Sequence, residues 1–287
     1  MTQGLVDYLL LMVSKDASDM FFSTGAPPNI KIEGVSYPVG KSPLAPSQAK
    51  ELAYSILTDD QKKTFERTME LNFALSFDDI GRFRFNLYRQ RGEVSMVVRY
   101  IKSIIPSLDA LSLPPIMKKL IGLNRGLVLV VGAAGSGKST TLASMIDYRN
   151  RRQSGHILCI EDPIEFLHSH QQSIVDQREV GLDTESFSAA LSNAMREAPD
   201  VILIGEIRDR ETMQHAIAYA ETGHLCLATL HANNANQALN RIINFFPDTA
   251  HRQLLADLAL NLKGVVAMRL VPGVDAKRVP AVEVMLQ

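Results

Sequence analysis

The sequence predicts an α/β protein with two domains, an α+β domain followed by a domain built on a mostly parallel β-sheet. Three observations carry this prediction. The first third of the chain contains strands of alternating apolar residues. A segment with three prolines, residues 102–115, separates it from the rest. From residue 116 onward, short apolar strands alternate with helical segments, an order typical of a parallel sheet covered by helices. We therefore expect domains at 1–101 and 116–287, joined by a linker at 102–115.

The composition is that of an ordinary soluble protein. Of 287 residues, 46% are hydrophobic and 21% are charged, which is enough apolar material for two cores. Lys and Arg total 30 against 31 Asp and Glu, a balance that gives no support for nucleic-acid binding. The N-terminus lacks the features of a signal peptide, so we expect a cytoplasmic protein. Two cysteines, Cys159 and Cys226, are too few for a four-cysteine zinc site and suggest small buried side chains.

The first domain begins with a helix, because Leu5, Leu9 and Met12 recur at helical spacing. The pattern that follows predicts strands at Asp19–Ser23 and Asn29–Glu33 and then helices at 47–57 and 59–68. This mixture of helices and strands favours an α+β domain.

A β-hairpin comes next. Leu71–Phe77 and Arg82–Gln90 both alternate between apolar and polar residues, and residues 78–81 can turn between them. In the second strand, the side chains expected on one face are Phe83, Phe85 and Leu87, and those expected on the other are Arg82, Arg84, Asn86 and Tyr88. Glu93–Ile101 is expected to form a third strand.

The second domain is predicted to contain strands at 127–131, 157–161, 201–205 and 225–230. Glu211–Thr222 is typical of a helix, and Gly223 is placed to end it. Because ligands of open parallel sheets bind at the carboxyl ends of the strands, we expect the functional residues there.

The segment between the first of these strands and the next helix fits the phosphate-binding pattern G-x-x-x-x-G-K-[ST]. A glycine-rich turn in this position directs several backbone N–H groups at one anion. Lys138 would add positive charge at the β- and γ-phosphates, and the Ser139 hydroxyl would contact Mg²⁺. The residues expected to bind ATP are Gly132, Ala133, Ala134, Gly135, Ser136, Gly137, Lys138, Ser139 and Thr140.

Carboxylates follow two of the predicted strands. Glu206 ends an apolar strand and is placed to hold Mg²⁺, directly or through water. Glu161, Asp162 and Glu165 end another strand, and clustered carboxylates make a general base plausible. Spacing alone does not rank these three acids, and a loop of solvated acids is the alternative.

Histidine and arginine side chains complete the set of candidates. His231 follows the strand at 225–230 and is either structural or a sensor of the γ-phosphate. Arg82, Arg84 and Arg99 in the first domain are either solvated or stabilise charge at ATP, within the chain or across a subunit contact.

Together these motifs resemble those of the secretion-type ring ATPases, and most closely the type IV pilus retraction motors of the PilT/PilU family. The likeness covers nearly the whole chain. The matching blocks are the Walker A motif at Gly132–Ser139, the Asp box at Ile160–Glu165, the Walker B region at Gly205–Glu206 and Arg208–Asp209, and the His box at Thr229–His231. Residues 16–27 are more similar to the PilU branch than to the PilT branch.

The resemblance implies more than spacing does. It implies a PAS-like first domain, a RecA-like P-loop ATPase domain and assembly into a hexamer. Glu165 matches the glutamate that activates water, and Arg82, Arg84 and Arg99 match arginines that reach the nucleotide. The implied function is ATP hydrolysis, with Mg²⁺, in a motor for pilus retraction and twitching motility. The implied partners are a second retraction ATPase and the pilus platform protein of the inner membrane, where the protein would be peripheral.

Two departures from the wider group bear on this interpretation. The four-cysteine zinc motif of pilus extension and type II secretion ATPases is absent, which favours the retraction branch and predicts no zinc. Family members continue beyond residues 281–286 with further helices, so we expect a shortened C-terminal region here. Two other functions stay open: a nucleotide-bound accessory ring subunit with little turnover, which stabilises a partner motor, and a DNA-transfer ATPase, which the balanced charge disfavours.

Overall fold

The computed structural model describes residues 4–102, 104–274 and 278–287. Contacts between residues divide the chain into two compact units, Met1–Ser103 and Ile104–Gln287. Each unit has its own β-sheet and its own hydrophobic core. The finer division, with a linker at 102–115, remains a prediction.

The first unit is an α+β unit with an antiparallel sheet. Its helices are α1 (Leu5–Ser14), α2 (Gln48–Tyr54) and α3 (Asp59–Thr68), and its strands are β1 (Asp19–Phe22), β2 (Asn29–Ile32), β3 (Val35–Pro38), β4 (Glu70–Phe77), β5 (Gly81–Gln90) and β6 (Glu93–Ile101). The strand order is β3-β2-β1-β6-β5-β4, and each neighbouring pair is antiparallel. The sequence did not predict β3, because its four side chains are all exposed and leave no alternating pattern.

The predicted hairpin is confirmed as β4 and β5. Phe83, Phe85 and Leu87 are fully buried, whereas Arg82 and Arg84 on the opposite face are partly exposed. Alternation therefore located both the strand and its buried face.

The second unit alternates strands and helices along most of its length. Its elements are α4 (Ile116–Ile121), β7 (Gly126–Val131), α5 (Lys138–Asn150), β8 (Gly155–Glu161), β9 (Ser173–Glu179), α6 (Phe187–Ala194), β10 (Val201–Ile204), α7 (Arg210–Glu221), β11 (Leu225–Leu230), α8 (Ala235–Asn244), α9 (His251–Asn261), β12 (Leu262–Pro272) and β13 (Arg278–Leu286). Gly223 follows the end of α7 with a φ of 101°, the left-handed conformation expected of a glycine that ends a helix.

The sheet of this unit has the strand order β13-β12-β7-β11-β10-β8-β9. All neighbouring strands are parallel except β12 and β13. Every residue of β7, β10 and β11 is buried, because helices cover both faces of the sheet. The two faces support separate cores, with Cys226 in one and Cys159 in the other, and both thiols are free.

The sequence did not predict β9, β12 or β13. The edge strand β9 carries Asp, Gln, Arg and Glu, so it lacks the apolar run of a central strand. β12 begins directly after α9 without a turn segment, so no loop signal separates the two elements. Among the described residues, the helices are too short or too polar to cross a bilayer.

A buried arginine joins two helices of the second unit. Arg149 lies near the end of α5 and is only 8% exposed. Its Nη1 donates to the carbonyl oxygens of Ile121 and Leu123, both at 2.8 Å. Arg149 therefore connects the helix that follows the phosphate-binding pattern to the carbonyl groups at the end of α4.

Candidate nucleotide-binding site

The segment Gly132–Gly137 forms a tight loop between β7 and α5. Gly135 and Gly137 adopt φ values of 71° and 95°, which favour glycine. A Cβ atom at Gly132 would lie 2.4 Å from Ser136 Oγ and 2.5 Å from the Met268 carbonyl oxygen. The loop therefore requires a glycine at its start, and it leads into the N-terminus of a 13-residue helix that favours anions.

Two side chains of this loop have polar groups suited to a phosphate. Lys138 Nζ donates to the carbonyl oxygens of Gly132 and Ala133, both at 2.9 Å. Burial lowers the pKa of Lys138, while the charges of Glu206 and Glu165 oppose that shift. The buried Ser136 hydroxyl has no hydrogen-bond partner within the described parts of the chain. An unpartnered hydroxyl beside a glycine loop and a lysine fits an oxygen-rich anion.

Glu206 follows β10 and lies between two nitrogen-containing side chains. Arg208 Nε donates to Glu206 Oε2 at 2.7 Å, and His231 Nε2 lies 3.1 Å from Glu206 Oε1. The preceding Gly205 has a close neighbour, because a Cβ there would lie 3.1 Å from the Glu161 Cα. The ends of β10 and β8 are therefore in close contact, which brings two acidic segments together.

The segment 162–168, which we call the acidic loop, follows β8 directly. The loop contains Asp162 and Glu165, and Glu161 precedes it at the end of β8. These three candidate acids differ in environment. Burial raises the pKa of Glu161 to about 7, although a hydrogen bond from Gln177 opposes the shift. Asp162 forms a salt bridge with Arg208 at 3.2 Å. The Glu165 side chain is exposed and makes no hydrogen bond or salt bridge with the described residues.

These environments separate the three acids by chemistry. Glu161 is partly buried and hydrogen-bonded, and Asp162 is paired with Arg208. Asp162 and Glu165 are both exposed, but only the Glu165 carboxylate is unpaired among the described residues and near the charge of Lys138. It is therefore best suited to act on a water molecule beside a bound phosphate.

A small cavity of about 30 Å³ lies between the start of α5 and the acidic loop. Its lining residues include Ser139, Glu161, Gly205, Thr229 and His168. Burial lowers the pKa of His168 to about 4, and its Nδ1 is buried without a partner among the described residues. The structure thus brings Ser139 of the phosphate loop close to the ends of β8, β10 and β11.

Thr229 joins two of these strand ends. Its Oγ1 donates to the Gly205 carbonyl oxygen at 2.5 Å, and its own carbonyl oxygen accepts from Ile207 N at 2.9 Å. His231, two residues further on, is 41% exposed and lies beside Glu206. Its position therefore allows a polar role, whereas a purely structural histidine would be enclosed.

The three arginines proposed from sequence lie together on the sheet of the first unit. Arg84 of β5 is paired directly with Arg99 of β6, and Arg82 lies two residues along the same face. Arg99 Nε donates to Asp19 Oδ1 at 2.8 Å, while the buried Nε of Arg82 has no partner within the described ranges. Like charges placed opposite each other destabilise a sheet, so this face favours an anionic ligand. The role of these arginines at a nucleotide remains a prediction.

Sequence reasoning assigned no role to three residues of the site. Arg208 bridges Glu206 and Asp162. Gln177 and His168 contact the acidic loop or its cavity. Gln177 lies on β9, a strand without a clear sequence signal, so only the folded chain brings it to the loop.

The donor set fits a magnesium ion bound together with phosphate oxygens. The described residues contain no group of three or more His, Cys, Asp or Glu side chains that could hold a metal by themselves. Ser139 and Glu206 supply oxygen atoms near Lys138, and Mg²⁺ in nucleotide sites takes its other ligands from phosphate and water. The Gly132 contacts and the unpartnered Ser136 hydroxyl fit the phosphates that such an ion accompanies.

Residues 14–282 match the model of a family described as Type II/IV secretion system protein. The chain is 57% identical to the type IV pilus ATPase PilU of Pseudomonas aeruginosa, over 97% of this chain and 73% of the relative. It is 40% identical to PilT of the same organism, over 98% of this chain and 82% of the relative. That PilT is a type IV pilus retraction ATPase.

Solved structures agree with these matches. A crystal structure of the pilus retraction motor PilT with bound ADP superposes with a TM-score of 0.94 at 41% identity, covering 99% of this chain and 83% of that chain. The ATPase DotB of Legionella pneumophila superposes with a TM-score of 0.84 at 27% identity, covering 98% and 80% of the two chains. The predicted fold class, an N-terminal α+β domain followed by a RecA-like ATPase domain, is confirmed.

Proposed function

The chain belongs to the Type II/IV secretion system protein family, and on that basis we propose that it is an ATP-hydrolysing motor subunit that powers or assists type IV pilus retraction in twitching motility. The chain is an ATPase of this family. One observation supports the assignment most strongly: Lys138 of the phosphate loop lies within electrostatic range of both Glu165 and Glu206. A nucleotide phosphate held by this loop would therefore meet both acids.

Each residue of the site has a part in hydrolysis. The amides of Gly132–Gly137 and the ammonium of Lys138 would bind and orient the phosphates. Glu165 would accept a proton from the attacking water, for which its exposed carboxylate is suited. His231, beside Glu206, would respond to the charge of the γ-phosphate.

Magnesium would be held by Ser139 and Glu206, with Glu206 acting directly or through water. When bound, the ion would neutralise the negative charge that develops on the phosphate oxygens. Arg208, which is bound to Glu206, fixes the direction of that carboxylate.

The relatives support a proposal for how the protein assembles and what it works with. We propose a homo-oligomer, most simply a hexamer, in which Arg82, Arg84 and Arg99 stabilise charge at the nucleotide. We further propose that the protein works with a second retraction ATPase, at the cytoplasmic face of the inner membrane, on the platform protein of the pilus. The near-balance of 30 basic and 31 acidic residues gives no support for a nucleic-acid substrate.

The decisive experiment compares the parent protein with Glu165→Gln and Lys138→Ala. We expect Mg²⁺-dependent ATP hydrolysis by the parent, ATP binding with only residual turnover by Glu165→Gln, and weakened binding with no turnover by Lys138→Ala. Parental turnover in Glu165→Gln would contradict the role of Glu165. ATP binding without hydrolysis by the parent would instead support an accessory subunit that stabilises a partner motor.

A further inference from the structure

The backbone of the acidic loop is held by side chains of the edge strand β9. Apart from a single β-bridge residue, Phe166, the loop has no regular secondary structure, so side chains must pair much of its polar backbone. β9 is parallel to β8, and Gln177 and Glu179 are paired with Cys159 and Glu161 respectively. Both β9 side chains thus lie beside the strand from which the loop emerges.

Gln177 satisfies three polar groups at once. Its Nε2 donates to the Phe166 carbonyl oxygen at 2.8 Å and to Glu161 Oε1 at 3.1 Å. Its Oε1 accepts from His168 N at 2.9 Å. Both donor hydrogens of the amide and one acceptor position are therefore used, which fixes the orientation of the side chain.

These bonds lie on both sides of Glu165. Ile164 N donates to Glu179 Oε2 at 3.2 Å on one side, while Gln177 holds Phe166 and His168 on the other. Glu161, to which Gln177 also donates, lies close to the Glu165 backbone. Gln177 thus restrains the position of Glu165 through its bonds to Phe166 and His168, which follow Glu165 in the loop.

We infer that Gln177 is a positioning residue for Glu165, which it keeps near Lys138 by holding the backbone of the acidic loop. The inference rests on the proposed role of Glu165 in hydrolysis. Gln177 does not need to touch the nucleotide. It acts by placing the Glu165 carboxylate. A misplacement of about 1 Å in a catalytic group lowers the reaction rate by up to about 100-fold.

The test uses Gln177→Leu, which removes all three hydrogen bonds, and Gln177→Glu, which keeps an acceptor for His168 N but cannot donate. In both variants we expect kcat to fall by about 10- to 100-fold while KM for ATP stays within about twofold. Unfolding temperature and the Kd for ATP confirm that each variant is folded and binds. The matched control is Gln171→Leu, whose side chain contacts Asp147 rather than the acidic loop. It should retain parental kcat.

A second comparison separates positioning from general structural support. In a Glu165→Gln background, Gln177→Leu should lower the residual turnover by less than about twofold, because the group that it positions is already disabled. An equal loss of rate in both backgrounds, or a loss through KM alone, would overturn the inference. If Gln177→Leu kept full activity while Glu165→Gln lost it, the inference about Gln177 would be overturned and the proposed role of Glu165 would stand. Parental activity of Glu165→Gln would overturn the proposed role of Glu165 and the inference with it.

Discussion

Gly132 has no room for a methyl group. An alanine Cβ would lie 2.4 Å from Ser136 Oγ and 2.5 Å from a backbone oxygen of Met268, so the loop would have to move. Overpacking of this kind typically costs about 1–3 kcal/mol. We expect Gly132→Ala to weaken ATP binding by about tenfold, measured by isothermal titration. Gly4→Ala is the control, because its nearest neighbour would be 4.0 Å away.

Glu161 makes the stability of the protein depend on pH. Burial raises its pKa from 4.5 to about 7, so the folded chain holds this proton more tightly than the unfolded chain. The stability that it contributes is complete below about pH 4.5 and is lost as the pH rises through about 7.

Glu161→Gln keeps the oxygen that accepts from Gln177 but cannot ionise. We therefore expect the variant to gain stability relative to the parent between about pH 5 and pH 8, by up to about 3 kcal/mol. Thermal unfolding across this range provides the measurement. A difference between the two proteins that does not change with pH would contradict the raised pKa.

Among elements, the junction of α4 and α5 depends on Arg149. Replacing it with methionine would leave the buried carbonyl group of Ile121 and the partly buried carbonyl group of Leu123 without their donor. We expect a loss of about 2–4 kcal/mol in the free energy of unfolding, measured by denaturant titration with circular dichroism. Arg151→Met is the control, because its side chain is 55% exposed and a solvent-screened salt bridge such as that to Asp147 contributes little to stability.

The sequence predicted those elements that have one buried face or two. Alternation located β5, and continuous apolar runs located β7, β10 and β11. The sequence did not predict β3 and β9, because an exposed or polar edge strand is defined by the strand with which it pairs, and a local sequence pattern does not contain that information.

The residues of the candidate site also form two groups, those that a local sequence pattern predicts and those that only the folded structure identifies. Lys138 and Ser139 follow from one contiguous motif, and Glu206 from the end of a strand. The choice among Glu161, Asp162 and Glu165 depended on burial and on Arg208 and Gln177, which come from distant positions. Spacing along the chain does not encode those contacts.

For the whole molecule, the arginines of the first unit offer a test of assembly. If Arg84 acts on the nucleotide of a neighbouring subunit, then Arg84→Ala and Lys138→Ala should each be inactive alone and regain activity when mixed. Random mixing of equal amounts would restore about a quarter of the sites, because each needs an intact lysine and an intact neighbouring arginine. ATPase assays of pre-mixed, reassembled protein provide the measurement. No recovery, despite exchange of subunits, would mean that Arg84 acts within its own chain.

The strand order of the second unit has a consequence for synthesis. β7, which leads into the phosphate loop, lies between β11 and β12, and both of these strands come late in the chain. A ribosome must therefore translate as far as β11 before β7 can gain its first neighbour, whereas the hairpins of the first unit can form as they emerge. A chain that ends before β11 thus carries the phosphate-binding sequence without either of the strands that flank β7 in the folded sheet.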